Sequence, residues 1–521
     1  MTAFNRREIL QHSAALGLGL SFVATRGAVV RAASDGEGTK PPKNIVLETV
    51  ESGGLSHYSY FLADKQAGVA VVIDPRRDVQ AYLDLAKQHD VEITHAIETH
   101  VHADFVSGAR ELAKRTGTAK IVASVEGDPG YGFDIDRKVK QGDELKIGGI
   151  QLRCIHTPGH TPEHMSYLAS SHEGGKAWAL FTGDFLFVGS IGRPDLMGVQ
   201  NTDALAKALY HSVQTAFKEL PGELMIYPAH GPGSPCGAGI KAPEGDPTLA
   251  KERKGNPYWR MNNEDVFIEA LLSAQPPVPY YWPRMKKINA AGPEILGGTP
   301  QIELLAPDAF ADMVQSGNAQ ILDTRSMHSF AGGHIPGAMN IGYNEVISMW
   351  GGWMLDPDKP IAMIKPAQGN FNDPLNWLSR VGLTNVKAGL KGDMKAWVNS
   401  GRKFDSFKTM SVHEVKDAFP SDKMTLLDVR QPPEWDMGHI KSAQYMFLPE
   451  IPKRLGELDK SKPVVVYCGN GYRASVGVSV LRANGFDART VPGSWDAWTA
   501  ADYDTVKPSQ LGKASDTKRT A

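Results

Sequence analysis

Short apolar runs recur along this chain, and several stop at a residue that can bind a metal or attack an electrophile. Ile93–Ile97 runs into Thr99-His100-Val101-His102-Ala103-Asp104-Phe105, and a segment through Cys154 ends in His156-Thr157-Pro158-Gly159-His160. Ala179–Phe181 leads to Asp184, and Met225–Tyr227 leads to His230. Runs this short, bounded by Gly, Pro and Thr, predict buried strands. Helical patterns alternate with them from residue 44 to 280, in two similar halves, so an α/β domain is expected there. The segments 253–258 and 275–283 are rich in Pro, aromatic and charged residues and read as an exit strap over its surface.

The far part of the chain repeats itself. Ile321-Leu322-Asp323-Thr324-Arg325 with Gly333-His334-Ile335 recurs as Leu427-Asp428-Val429-Arg430 with Gly438-His439-Ile440, the His eleven residues after the Asp in both. Two units of one design follow, 301–401 and 404–503, with Trp397 and Trp498 at matching places as core residues. A Gly/Pro-rich stretch, 290–300, links the first to what precedes it. Residues 507–521 are polar without apolar periodicity and are expected to be a disordered tail.

A single His or Asp after a strand is ordinarily a turn residue. Four in order, each at the carboxyl end of a strand, make a metal site. Their motifs resemble the metallo-β-lactamase superfamily, which implies an αββα sandwich over 44–280. That family's usual pattern has a second-metal His where Phe105 stands, and phenylalanine cannot ligate. The chain is therefore expected to have given up the second metal, and two-metal hydrolysis with it. His100, His160 and Asp184 then leave a two-His, one-carboxylate face with open positions. Such a face suits one non-haem Fe(II) per domain, zinc being the less expected ion.

Within the superfamily, these three positions and Gly189-Ser190-Ile191-Gly192-Arg193-Pro194-Asp195 resemble the persulfide dioxygenases. By that resemblance His102, Asp104 and His230 orient ligands and water from outside. Arg193 is a structural or a substrate-carboxylate contact, a plain ion pair with Asp195 being the alternative. Tyr227 and Cys236 join Arg193 as candidate substrate contacts. Cys236 sits in a flexible Gly/Pro loop just after His230, and an incidental thiol is the alternative for it.

Val464-Val465-Val466-Tyr467-Cys468-Gly469-Asn470-Gly471-Tyr472-Arg473 reads as a buried strand, a Gly-rich loop and a helix start. Backbone N–H groups and a helix N-terminus there favour a thiolate, and Arg473 adds positive charge at the rim. The match is to the rhodanese loop, Cys-x-x-x-x-Arg, with Gly469, Asn470, Gly471 and Tyr472 as the sulfur-binding turn. Related phosphatase loops are one residue longer, so sulfur is favoured over phosphate. In the first unit Lys365 falls where Cys468 does, so that copy cannot carry a persulfide and is read as a spacer or docking unit.

Asn5-Arg6-Arg7-Glu8-Ile9-Leu10 and the apolar stretch after it resemble a twin-arginine signal over 1–33, which implies a periplasmic protein. The stretch is too short for a stable membrane span. The 521 residues are 41% hydrophobic with a net charge of −2, enough for three cores and unlike a nucleic-acid binder. The cysteines Cys154, Cys236 and Cys468 build no disulfide framework, and Cys154 is expected in the core.

The whole resembles a persulfide dioxygenase–rhodanese fusion with one silent and one catalytic rhodanese-like unit. That implies a low-molecular-weight thiol persulfide and O2 as substrates, sulfite as product, and thiosulfate made or used at Cys468. A homo-oligomer is compatible with this. Two rivals stand beside it: a glyoxalase II-like thioester hydrolase, and a sulfur carrier whose metal domain is structural.

Overall fold

The computed structural model describes residues 38–171 and 175–506, together with the backbone of 29–31. The expected signal segment, 1–33, lies outside the described residues apart from Val29–Arg31, which pairs with Glu48–Val50. The expected tail, 507–521, also lies outside them. Two compact units are present. One runs through Pro300 and includes Leu375–Leu383; the other takes 301–374 and 384 onward.

In the first unit, period-two alternation sorts each strand between two cores. Tyr60, Leu62, Val71, Ile73, Ile97 and Val122 point into a central cluster, while Phe61, Ala63, Ala70, Val72, Ala96 and Ile121 point outward. Seven strands follow one another in chain order from Val29–Arg31 through Glu92–Ile97 to Arg137–Val139. Facing them is a five-stranded sheet, ordered Met225–Pro228, Ala177–Gly183, Met165–Ser171, Ile150–His156 and Glu144–Ile147. Cys154, Tyr167 and Phe181 supply its inner face. The helices Gln80–His89 and Ala109–Thr116 cover the outside of the first sheet, and Val199–Thr215 and Glu264–Ala274 that of the second. The result is the αββα sandwich, with Cys154 in its core.

Two expectations from the sequence need correction. The compact unit runs on past 280 to Pro300, and the expected surface strap is partly buried, with Lys254, Gly255, Pro277, Tyr280 and Pro283 still exposed. Tyr258, Tyr281 and Trp282 are buried, and the helix Trp282–Ala291 also buries Met285 and Asn289. Aromatic residues next to prolines read as surface punctuation in the sequence, but their area favours burial here.

The second unit holds two parallel sheets. One is ordered Glu303–Leu305, Val386–Leu390, Ile361–Ile364, Gln320–Asp323, Met339–Asn340; the other, Ala488–Thr490, Val464–Tyr467, Thr425–Asp428, Gln444–Tyr445. The two orders match strand for strand, apart from the extra edge strand Glu303–Leu305. In both, the repeated Asp ends a central strand and pairs with the repeated Arg: Asp323 with Arg325, Asp428 with Arg430. Trp397 and Trp498 each lie in the core of their own copy.

Candidate functional site

His100, His160 and Asp184 come from three different strand ends and converge, their ligand atoms all within 4.8 Å of one another. His160 Nε2 stands 3.3 Å from Asp184 Oδ2, and His100 Nε2 stands 3.8 Å from it. All three side chains are buried, and none of these three atoms has a hydrogen-bond partner. The opposite ring nitrogens are satisfied. His160 Nδ1–H donates to the Arg193 carbonyl at 2.8 Å. Thr99 Oγ1 donates to Asp74 at 2.9 Å and so accepts from His100 Nδ1, also at 2.9 Å. Both Nε2 lone pairs therefore face inward. Burial lowers both imidazole pKa values, that of His160 to about 4, so the rings are neutral.

Burial alone would push the Asp184 carboxyl up, but His230 holds it well below the usual carboxylate range. His230 Nδ1 donates to Asp184 Oδ1 at 2.7 Å, and its Nε2 donates to Asp104 at 2.8 Å. Flanked by two carboxylates, His230 keeps its proton despite burial. Two neutral nitrogens and one carboxylate oxygen, all buried and unpartnered, form a donor set that fits a divalent cation. Leaving such atoms unsatisfied costs roughly 1–3 kcal/mol each.

The loop backbone is shaped to hold this set. Gly183 has φ +53°, and a Cβ there would meet His164 Nε2 at 2.5 Å, so no side chain fits. His164 Nε2 accepts the Asp184 N–H at 2.9 Å, and its Nδ1 donates to Thr157. Asn289 donates to the carbonyls of His102 and Phe105, at 2.8 and 2.7 Å, and accepts from Ser107 N–H. Glu163 accepts from Val101 N–H at 2.9 Å. Asn289, His164, Glu163 and Thr99 were not singled out by the sequence. The first lies far along the chain, and the rest look like ordinary turn residues.

His102 stands apart from the triad. Its Nε2 faces Asp74 at 3.1 Å and Glu98 at 3.2 Å, and against the effect of burial these carboxylates raise its pKa to about 10. Phe105 is wholly buried, with its ring 4.0 Å from that of His57 and 4.4 Å from that of His102. Asp104, His230 and Cys236 form a second cluster beside the first.

The three candidate substrate contacts are placed as follows. The Arg193 guanidinium is buried, bonded to both oxygens of Asp195 at 2.6 and 2.8 Å and to the Pro235 carbonyl. Those bonds account for it as a brace under His160. Tyr227 packs in the central core against Phe181 and Tyr60. Cys236 lies in the loop after His230 but is buried there, and its N–H is held by Ser234 Oγ. Burial pushes its thiol pKa up, so it is protonated.

Cys468 follows the fully buried strand Val464–Tyr467, and its Sγ accepts the Gly471 N–H at 3.2 Å. Gly471, at φ +106°, starts the helix Tyr472–Ala483, and Asn470 Oδ1 accepts the Tyr472 N–H. A Cβ on Gly471 would also strike the Met327 side chain at 2.8 Å. Tyr472 Oη donates to the Gly342 carbonyl of the first copy at 2.9 Å. The positive rim expected of Arg473 is not free charge: Glu434 grips the guanidinium at both oxygens, with 2.7 Å to Nη2. Desolvation would raise the carboxyl of the half-buried Glu434, but Arg473 holds it below its ordinary pKa. At the matching place in the first copy, Lys365 Nζ lies 3.3 Å from Asp393.

The sequence signature of the metallo-β-lactamase superfamily matches residues 52–230, and that of the rhodanese-like domain matches 306–400 and 411–501. The chain is 32% identical over 228 residues to the mitochondrial persulfide dioxygenase ETHE1 of Bos taurus, covering 43% of this chain and 78% of that protein. It is 29% identical to a hydroxyacylglutathione hydrolase of Polaromonas sp., covering 45% of this chain and 93% of that one. A solved metallo-β-lactamase from Staphylococcus aureus subsp. aureus COL is 33% identical, with a TM-score of 0.58, and spans 67% of this chain and 99% of its own.

Proposed function

We propose a function from the premise that the chain belongs to the metallo-β-lactamase superfamily, as a homologue of persulfide dioxygenases followed by two rhodanese-like domains. It oxidises a low-molecular-weight thiol persulfide with O2 and exchanges the sulfane sulfur at Cys468. The observation that carries this reading is the convergence of three orphaned buried atoms, on His100, His160 and Asp184, beside a buried Phe105.

Those three side chains would hold one Fe(II), which suits the set better than zinc. When bound, iron would supply a redox-active Lewis acid for reaction of the persulfide with O2. The chain's own residues do the positioning. Thr99 and the Arg193 carbonyl keep the two Nε2 lone pairs inward, and His230 keeps Asp184 ionised with Oδ2 free. The balance is one persulfide RSSH, one O2 and one water giving RSH, sulfite and two protons.

At the second site the Cys468 thiolate attacks the outer sulfur of a donor. A bond forms to Sγ, the donor S–S bond breaks, and its electron pair leaves with the thiol or sulfite. Gly471 N–H and the helix N-terminus steady the anion. Passing that sulfur on to sulfite makes thiosulfate, and the reverse consumes it. Carrying both chemistries on one chain raises the effective concentration of the shared intermediate. The Asn5–Leu10 motif supports export to the periplasm as part of this proposal.

Similarity to the hydroxyacylglutathione hydrolase favours a thioester hydrolase as the second reading. Phe105 speaks against it, because it removes a ligand from the second metal such hydrolysis uses. Iron-loaded full-length protein given glutathione persulfide in air should consume O2 and release sulfite and thiosulfate whose sum equals the O2 consumed. Hydrolysis of an S-acyl glutathione with no O2 uptake would replace this reading with the hydrolase one.

A further inference from the structure

The internal repeat provides a control for what the second copy keeps for folding and what it keeps for chemistry. Both copies retain the Asp–Arg pair and the aromatic ring on the repeated His: Phe330 on His334 and Trp435 on His439. One residue before that aromatic they diverge, with Ser329 in the silent copy and Glu434 in the other. The same comparison sets Lys365 against Cys468 and Asn370 against Arg473. Glu434 therefore goes with the reactive thiol and its arginine, while its Oε2 also accepts the Gln431 N–H at 3.0 Å and caps its own helix, Pro432–Asp436.

The geometry says what it does there. Glu434 meets Arg473 oxygen to nitrogen at both positions, the bidentate arrangement that fixes a guanidinium in place. Gly469, next to Cys468, lies against this pair: a Cβ there would stand 3.1 Å from Arg473 Nη2 and 4.0 Å from Glu434 Oε1. Arg430, the other guanidinium acting on Glu434, is spent on Asp428 and the Gly438 carbonyl. Asp496 adds a further carboxylate, its N–H bonded to the Gly469 carbonyl. The wall of the loop is therefore a neutralised pair beside an acid, and among the described residues the guanidinium nearest the thiol, Arg473, is already paired with Glu434.

We propose that Glu434 is a specificity-determining positioning residue, which tunes the Cys468 loop toward thiol persulfides and against dianionic sulfur donors such as thiosulfate. This rests on the reading of Cys468 as a sulfur-transfer nucleophile. The charge balance explains the preference. With a persulfide, Cys468–S⁻ and RSSH give Cys468–S–SH and RS⁻, so the loop handles one negative charge. With thiosulfate, a dianion approaches the thiolate, Cys468–S–S⁻ forms, and sulfite leaves with the S–S electron pair and two charges. Like charges brought together in a partly buried site are strongly disfavoured, and Glu434 withholds the cation that would offset them. Because one transition state serves both directions, sulfite as an acceptor is slowed along with thiosulfate as a donor.

The test uses the full chain under argon, with cyanide as acceptor and either thiosulfate or glutathione persulfide as donor. Glu434→Gln should raise the ratio of kcat/KM for thiosulfate over persulfide on the order of tenfold, mainly through a lower thiosulfate KM. Glu434→Asp should return the ratio toward its starting value, and Glu434→Ser should behave as Gln does. A ratio unmoved within about twofold, or equal loss with both donors, overturns the proposal by reducing Glu434 to a loop brace. Should the variants not fold, the salt response of the unchanged protein decides. Added potassium chloride should raise thiosulfate kcat/KM relative to persulfide, as screened repulsion requires, and a relative fall overturns the proposal. Absence of transfer from either donor in the unchanged protein would instead defeat the reading of Cys468 itself, and this proposal with it.

Discussion

His160 Nε2 and Asp184 Oδ2 face each other across 3.3 Å with no proton between them. The His160 proton is on Nδ1, committed to the Arg193 carbonyl, and burial keeps the ring neutral. A lone pair thus stands against a carboxylate oxygen inside the protein, with the His100 lone pair 3.8 Å from that same oxygen. A cation shared among the three turns this repulsion into attraction. Removing the metal with a chelator should therefore lower the Tm of the first unit by several degrees, roughly 1–3 kcal/mol for each atom left unsatisfied. Calorimetry with and without metal checks this; identical transitions would contradict it.

Arg193 acts on the site through its backbone, while its side chain locks the loop onto Asp195 and Pro235. Lysine cannot reproduce the two-pronged contact. Arg193→Lys should weaken metal binding by about 10–100-fold, as losses behind a ligating histidine usually do. A competition titration against a chelating dye measures it.

Asn289 makes three hydrogen bonds to the loop carrying His100, His102 and Phe105. Replacing it with alanine leaves buried carbonyls and an N–H without partners, costing about 2–4 kcal/mol. Denaturant unfolding should show the loss, with metal affinity falling alongside.

Phe105 follows Asp104 and lies against His57 and His102, and His57 in turn has its ring 5.5 Å from that of His230. Phe105→His should bring bound metal from about one toward two ions per chain, since it restores the missing ligand type to a site with further His and Asp donors. Elemental analysis after equilibration with zinc reads the number. Unchanged stoichiometry would show that more than Phe105 blocks the second ion.

His102 provides a pH prediction. Its pKa is raised to about 10 in the folded protein against an ordinary value near 6.5. The stability it adds is therefore fully present below pH 6.5 and is lost as pH rises through about 10. The Tm difference between the unchanged protein and His102→Gln should shrink across that window.

Much of the site is legible in the sequence because each metal-facing residue ends an apolar run, and strand ends are where an α/β sheet places its ligands. The repeat likewise exposes Lys365 in place of Cys468. Contacts across long sequence separations leave no such trace. Asn289 bonds to a loop more than 180 positions earlier, and nothing in its own helix marks it. Tyr227 shows the opposite failure. It lies three residues before His230, but strand alternation turns its ring into the central core. Glu434 stands 39 residues before Arg473, and only the fold brings the carboxylate to the guanidinium.

O2 uptake on adding glutathione persulfide, measured with the iron-loaded full chain and its His160→Ala and Cys468→Ser variants, tests the central claim most directly. The two-site account predicts uptake in the unchanged protein and in Cys468→Ser, and none in His160→Ala while its thiocyanate formation persists. Uptake surviving in His160→Ala, or lost in a folded Cys468→Ser, would contradict it.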